Sequence, residues 1–336
     1  MKYFEIAEPK GIESIKLKEG AVPKPGPGQV LIRVHAVSIN YRDLAIATGH
    51  YGRGAKKPLI PLSDGAGEVV EIGKGVKRVR TGDRVAGIFM QDWIAGEMIP
   101  AYQESALGGA VDGMLAEYVV LDQKGVVPLP PHLSFEEGAS LPCAAVTAWH
   151  ALIESGLRPG ATVLVLGTGG VSIFALQFAK LAGARVIVTS KSDAKIERAK
   201  RLGASGGVNY TTHASWGDKV LELSGGGVDQ VIEVGGTGTL GRSMNAVRMG
   251  GRVSLIGVLS GVGAEINPMP ILAKQIQLQG VFVGSREMFE SMNTAIGLHG
   301  LKPVIDKIFE FDQFHEAMNW VASGSHFGKV IVRVGS

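Results

Sequence analysis

Val163-Leu164-Val165-Leu166-Gly167-Thr168-Gly169-Gly170-Val171-Ser172 is an apolar run that breaks on glycines and passes directly into a second apolar segment. The first run is short and rich in branched residues, as a buried strand is. The second carries its apolar residues at helical spacing through Ala182. Strand, glycine turn and helix in that order form the dinucleotide-binding fingerprint. Gly167 makes the tight turn, and Gly169 leaves room for a pyrophosphate beside the backbone. The N–H groups of Thr168, Gly170 and Val171 open the helix, where its dipole favours an anion. Ser172 replaces the third fingerprint glycine and is small enough for close helix–strand packing.

The next strand selects the dinucleotide. Sites that prefer NAD place an acid about 20 residues on, facing the ribose 2′-hydroxyl. Here the strand Arg185–Thr189 runs into Ser190-Lys191-Ser192-Asp193-Ala194-Lys195. Ser190, Lys191 and Lys195 offer a hydroxyl and two cations, which suit a 2′-phosphate. Asp193 is the dissenting charge and reads as the acid of a helix first turn. The expected cofactor is NADPH.

Beyond this unit the alternation of strand and helix continues through Ala194–Leu202, Asp229–Val234, Leu240–Val247 and Gly251–Ile256, the pattern of a doubly wound parallel sheet. The N-terminal third has another texture. Gln29–Val37, Gly65–Ile72, Asp83–Ile88 and Leu115–Leu121 are short strands separated by turns such as Pro25-Gly26-Pro27-Gly28, which predicts a barrel-like β domain. The proline run Pro128-Leu129-Pro130-Pro131 marks a boundary, and Ser134 with Glu137 forms a capping box for a helix that follows. Lys329–Val334 returns to a strand that rejoins the N-terminal domain. The expected division is a β-rich domain of residues 1–127 and 287–336 around a dinucleotide-binding domain of residues 128–286.

A chain of 336 residues suits two domains. A net charge of +3, with no long basic run, argues against nucleic acid or an anionic membrane as partner. Cys143 is the single cysteine, so a disulfide or a four-cysteine zinc lobe within the chain is excluded. No signal-like segment stands at Met1–Pro9 and no apolar run reaches membrane-spanning length, so the expected location is cytoplasmic.

Taken together, Pro25–Ile32, Ser38-Ile39-Asn40-Tyr41-Arg42-Asp43, Gly65–Val70, Gly82-Asp83-Arg84-Val85, Ala139-Ser140-Leu141-Pro142, Thr147-Ala148-Trp149, the glycine loop and Gly328-Lys329-Val330 run nearly end to end. In that order they make the sequence resemble the medium-chain dehydrogenase/reductase superfamily, in its zinc-free quinone oxidoreductase and enoyl reductase branch. The resemblance implies an α/β fold with a Rossmann doubly wound parallel sheet inserted into a GroES-like β-barrel domain, with the nicotinamide held between the domains. It also implies a homodimer through pairing of Rossmann sheet edges, with Gln277–Val283 as the edge strand.

Zinc-dependent relatives hold a catalytic metal with a cysteine, a histidine–glutamate pair and a second cysteine. At those places this chain has Asn40, Ser63-Asp64 and Cys143, and one soft ligand does not make a three-ligand site. Without a metal, hydride transfer needs an acceptor that is already electrophilic, so the expected substrate is a small quinone or an α,β-unsaturated carbonyl compound. The resemblance gives Asn40, Tyr41 and Tyr51 (in Gly49-His50-Tyr51-Gly52) as catalytic candidates. It gives Thr147 as a nicotinamide contact, Tyr210 as a neighbour of the adenosine phosphate, and Ser285 and Lys329 as late cofactor contacts. Gly235 and Gly257 stand at later strand ends facing the dinucleotide. Gln91–Ala110 is expected as a surface loop. Two other functions fit the same frame: a zinc-free alcohol dehydrogenase or aldehyde reductase, and a non-catalytic NADPH-binding or RNA-binding relative.

Overall fold

A computed structural model describes residues 1–51, 55–263 and 265–335; Gly52 of the tyrosine motif lies outside the described residues. In chain order the strands and α-helices are β1 (Lys2–Ile6), β2 (Ile15–Glu19), β3 (Gln29–Ile39), α1 (Tyr41–Ala47), β4 (Asp64–Ile72), β5 (Arg84–Gly87), β6 (Tyr118–Asp122), β7 (Val126–Pro128) and α2 (Phe135–Ala139). There follow α3 (Val146–Trp149), β8 (Thr162–Leu166), α4 (Gly170–Leu181), β9 (Arg185–Ser190), α5 (Asp193–Leu202), β10 (Gly206–Asn209), α6 (Trp216–Ser224), β11 (Val228–Glu233), α7 (Thr237–Ala246), β12 (Val247–Leu255), α8 (Met269–Lys274) and β13 (Gln277–Gly280). The chain closes with α9 (Arg286–His299), β14 (Ile305–Phe309), α10 (Phe314–Ala322) and β15 (Lys329–Arg333).

The chain divides into two units, Met1–Val146 with Gly284–Ser336, and Thr147–Val283. The second unit holds a six-stranded sheet in the order β10-β9-β8-β11-β12-β13, with every pairing parallel. Numbered from its own first strand this order is 3-2-1-4-5-6, the Rossmann arrangement, and the chain direction across the sheet reverses between β8 and β11. All five residues of β8 are buried, because helices cover both faces of such a sheet. On α4 the apolar stripe of Ile173, Phe174, Leu176 and Phe178 is buried too.

In the first unit, a seven-stranded sheet runs β14-β15-β3-β4-β5-β7, with β6 also on β3. Its pairings are antiparallel except between β14 and β15. The last strand, β15, pairs with β3 across Val330–Ile39 to Arg333–Ala36, as the sequence led one to expect. One core gathers Val30, Ile32, Val34, Val37, Leu59, Val69, Met114, Phe314 and Val332.

The first boundary falls at Val146, beyond the proline run where the sequence places it. β7 carries Pro128 into the first unit's sheet on β5. The capping box that follows is formed, Ser134 N donating to Glu137 Oε2 at 2.7 Å and Glu137 N to Ser134 Oγ at 3.2 Å. Phe135 stacks on His35 at 4.2 Å and Glu136 accepts from Arg333, so α2 belongs with the β-rich unit. The second boundary lies at Gly284, close to the expected one. Among the described residues no helix is long and apolar enough to cross a membrane.

Candidate functional site

The glycine loop leaves β8 at the reversal point of the sheet. Gly167 has φ +73°, a left-handed conformation that costs an L-residue roughly 1–2 kcal/mol. Its N–H donates to Thr189 Oγ1 at 3.3 Å, tying the turn to β9. Thr168 is buried, and Gly169 is the N-cap of α4 with no side chain capping it. The first N–H groups of a twelve-residue helix, at Gly170 and Val171, are thus left for an anion. Ser172 does more than stay small: its buried hydroxyl donates to Leu166 O at 2.6 Å, pinning the helix start to the strand end.

Ser190 ends β9 and is buried; its hydroxyl accepts from Ser192 N at 3.2 Å, and its carbonyl accepts from Tyr210 N at 3.1 Å. Lys191 is exposed and Lys195 half-buried in the first turn of α5, so the two cations and Tyr210 gather at one sheet end. Burial raises the Tyr210 phenol above its ordinary value. Asp193 is the first residue of α5, as expected, and its carboxylate accepts from Asn209 Nδ2 at 3.0 Å.

At the end of β11 the structure shows a group that the sequence reading passed over. Glu233 is fully buried. Its Oε1 accepts from Gly235 N at 2.7 Å, Gly236 N at 3.1 Å and Thr239 Oγ1 at 2.6 Å, and its Oε2 accepts from Ser243 Oγ. One carboxyl group thus holds the loop containing Gly235 in shape. Gly257 lies beside it, so close to β11 that a Cβ would stand 2.7 Å from Val234 O. The signal was an acid closing an apolar strand two positions before a glycine pair. Thr147 is buried in α3.

Ser285 and Lys329 fall in the first unit. Ser285 caps α9, its hydroxyl accepting from Met288 N at 3.2 Å. Lys329 is 3% exposed; its Nζ donates to Ile39 O at 3.0 Å and to Asn40 Oδ1 at 2.6 Å. Asn40 caps α1, and its N–H donates to Asp43 Oδ2 at 2.7 Å. Asp43 is buried, with Arg42 Nη1 3.8 Å from its Oδ1. Burial pushes the Asp43 carboxyl up to about 6, against the pull of Arg42. The Arg42 guanidinium also donates to Leu107 O at 2.9 Å and stands 5.0 Å from the centre of the Tyr51 ring. Burial raises the Tyr51 phenol and Arg42 opposes it. Tyr41, the first residue of α1, is 54% exposed. Asn40, Tyr51 and Lys329 are therefore drawn into one charged cluster, with Tyr41 at its solvent side.

The positions compared with metal ligands lie in the same unit. Ser63 Oγ donates to Asp64 Oδ1 at 2.7 Å, and Cys143 N donates to Asp64 Oδ2 at 3.1 Å. Burial, reinforced by Asp64, pushes the Cys143 thiol far up. Among the described residues no group of three or more His, Cys, Asp or Glu side chains could hold a metal ion. The residues at this place do not fit a catalytic zinc. Two other histidines pack away from this place: His35 on Phe135, and His150 through Nδ1 to Val283 O at 2.7 Å. In the loop expected at the surface, Trp93 is instead buried, its indole N–H donating to Gly96 O at 3.0 Å.

Two domain families match the sequence: the alcohol dehydrogenase GroES-like domain over residues 26–131 and the zinc-binding dehydrogenase domain over residues 170–297. A zinc-type alcohol dehydrogenase-like protein of Schizosaccharomyces pombe is 42% identical over 99% of both chains. The chain belongs to the medium-chain dehydrogenase/reductase superfamily. Within that superfamily it is also similar to the quinone oxidoreductase of Rattus norvegicus, 31% identical over 99% of this chain and 97% of the other. A solved NAD-dependent alcohol dehydrogenase superimposes with a TM-score of 0.91, at 32% identity and 100% coverage of both chains. The fold is that of the superfamily, a Rossmann sheet inserted in a GroES-like β domain, and the protein is an oxidoreductase that uses a nicotinamide cofactor.

Proposed function

We propose that the protein is a zinc-independent, NADPH-dependent reductase of quinones or α,β-unsaturated carbonyl compounds. The observation that carries this reading is the Asn40–Lys329 contact at a place where a zinc dehydrogenase has its ligands. A buried amide and an ammonium occupy the site, and Asp64 is spent on Ser63 and Cys143 N. Zinc polarises a simple carbonyl and lowers the pKa of a bound alcohol. A site without it favours acceptors whose added charge spreads over a conjugated system, with protein donors stabilising the resulting anion.

For the cofactor, the uncapped start of α4 suits a pyrophosphate, and Ser190, Lys191, Lys195 and Tyr210 suit a 2′-phosphate. Bound there, the cofactor supplies the hydride. The relatives named as alcohol dehydrogenases keep aldehyde reduction as the second reading, which differs only in the acceptor. We also propose a homodimer through β13, the outer strand of its sheet, where Leu278 and, just beyond the strand, Phe282 are exposed. The location we propose is cytoplasmic, in keeping with the single cysteine.

The test is oxidation of NADPH and of NADH by EDTA-treated protein with quinones, enones and simple aldehydes as acceptors. NADPH-selective turnover of a quinone or enone in the chelator is expected. Activity that disappears with EDTA and returns with zinc, or a clear preference for NADH, overturns the reading.

A further inference from the structure

Asn40 and Lys329 are 289 positions apart in the chain, yet they make one of the shorter contacts in the β-rich unit, 2.6 Å from ammonium to amide oxygen. The second bond of Lys329, to Ile39 O, fixes the ammonium from behind. A cation on Oδ1 determines which way the amide faces, because the nitrogen end cannot accept from an ammonium. The other end, Nδ2, is buried and among the described residues has no hydrogen-bond partner. Buried donors without partners are uncommon and costly, about 1–3 kcal/mol each. The other charges of the cluster are Arg42, 3.8 Å from Asp43 Oδ1, and the carboxyl groups of Asp43 and Asp64, which act on one another. The two oxygens of Asp64 accept from Ser63 and Cys143, and Oδ2 of Asp43 from Asn40 N. No described acid takes the Asn40 Nδ2 donor.

We propose that Lys329 is a positioning residue that turns and polarises the Asn40 amide, making Nδ2 the donor for an oxyanion formed on the substrate. The inference rests on the proposed reductase function and assigns the residue pair that does here the work a catalytic metal does in zinc-dependent dehydrogenases. When an enone accepts a hydride at its β-carbon, the C=C pair becomes the enolate double bond and the carbonyl π pair moves onto oxygen. The enone is reduced by two electrons, the nicotinamide is oxidised, and a proton from water later forms the new C–H bond at the α-carbon. Negative charge appears on that oxygen during hydride transfer, and a donor already held in place by a charged group stabilises it without reorganisation. Donation to a developing anion from an amide whose oxygen is held by a cation is stronger than from a free amide.

The experiment uses p-nitrophenol, whose phenolate is a visible stand-in for the enolate oxygen, titrated against full-length protein saturated with NADP⁺. Three variants are read beside the parent. Lys329→Gln keeps an N–H for Asn40 but no charge, Lys329→Arg keeps both, and Asn40→Leu removes the donor. The parent protein is expected to bind the phenolate in preference to the phenol, lowering the probe's apparent pKa. Lys329→Gln should lose most of that preference and about 10- to 100-fold in kcat, with the Kd for NADPH, read by fluorescence, unchanged. Lys329→Arg should recover most of both, and Lys329→Gln should add nothing in the Asn40→Leu background. The inference is overturned if Lys329→Gln binds phenolate as the parent does, or if it loses NADPH affinity by the same factor as kcat, which would make Lys329 a cofactor contact. If no quinone or enone is turned over but the phenolate preference is present and vanishes in Lys329→Gln, the donor pair stands and only the proposed substrate class fails.

Discussion

Replacing Asp43 by Asn should make the protein gain resistance to unfolding, relative to the parent, as pH rises. Asp43 is 2% exposed, and its carboxyl titrates at about 6 in place of 3.8. At about 1.4 kcal/mol for each pH unit, that displacement is a penalty of roughly 3 kcal/mol for keeping the group charged inside the fold. The sign follows from proton counting. The unfolded chain releases the Asp43 proton near 3.8, while the folded chain holds it to about 6. Across that window the folded state binds more protons, so its stability falls as pH rises, and above about 6 the full penalty is present. Asparagine has nearly the same shape, can still accept from Asn40 N, and does not titrate. Whatever fixed cost the exchange carries, the stability of the variant relative to the parent should grow by about 2 kcal/mol between about pH 4.5 and about pH 7.5. Urea unfolding of both proteins without cofactor, at several pH values across that range, measures it. A difference that stays constant with pH, or narrows toward neutrality, would refute the description of Asp43 as a carboxylate charged against its surroundings.

Three other expectations come from the same geometry. Glu233→Ala strands four donors, each costing on the order of 1 kcal/mol, so it should lower unfolding stability by roughly 4 kcal/mol and raise the KM for NADPH; an unchanged urea midpoint would show that the loop holds itself. Ser190→Asp places a carboxylate where a 2′-phosphate is expected, and like charges there should cost roughly 3 kcal/mol, about 100-fold in KM for NADPH with little change for NADH. If NADPH and NADH are affected alike, Ser190 does not lie at the 2′ position. Leu278→Asp on the outer strand should halve the mass seen by light scattering, and a mass unaffected by the substitution removes β13 as the subunit contact.

The Rossmann unit was legible because its information is local. The strand, glycines and helix of Val163–Ser172 are consecutive, and the regular alternation of apolar strands and helices signals a doubly wound parallel sheet, whose strand order only the structure gives. The capping box at Ser134 was legible for the same reason, since its partners are three residues apart. The proline run reports where the chain turns, and not which core the next helix packs against; α2 packs with the β-rich unit. Lys329 was assigned a place at the cofactor from resemblance, while its observed partners, Ile39 and Asn40, come from the opposite end of the chain. No periodicity encodes such a pairing; the β3–β15 ladder creates it. Glu233 was hidden because its four donors are backbone and hydroxyl groups that carry no charge signature in the sequence.

The pairing of β15 with β3 also sets an order for synthesis. Residues 147–283 are contiguous and contain all six strands of their sheet, so this unit can fold as soon as it has left the ribosome. The β-rich unit cannot: β6 covers Gln29–Arg33 of β3, but Ala36–Ile39 waits for a strand that is made some 290 residues later. Until then Val37 and Ile39 belong to a partial core with an open strand edge, the kind of surface on which chaperones act and nascent chains aggregate. Ribosome-stalled chains ending before Lys329 should therefore carry a protease-resistant Rossmann unit beside a sensitive N-terminal half, and the same strand that completes the barrel delivers the ammonium to Asn40.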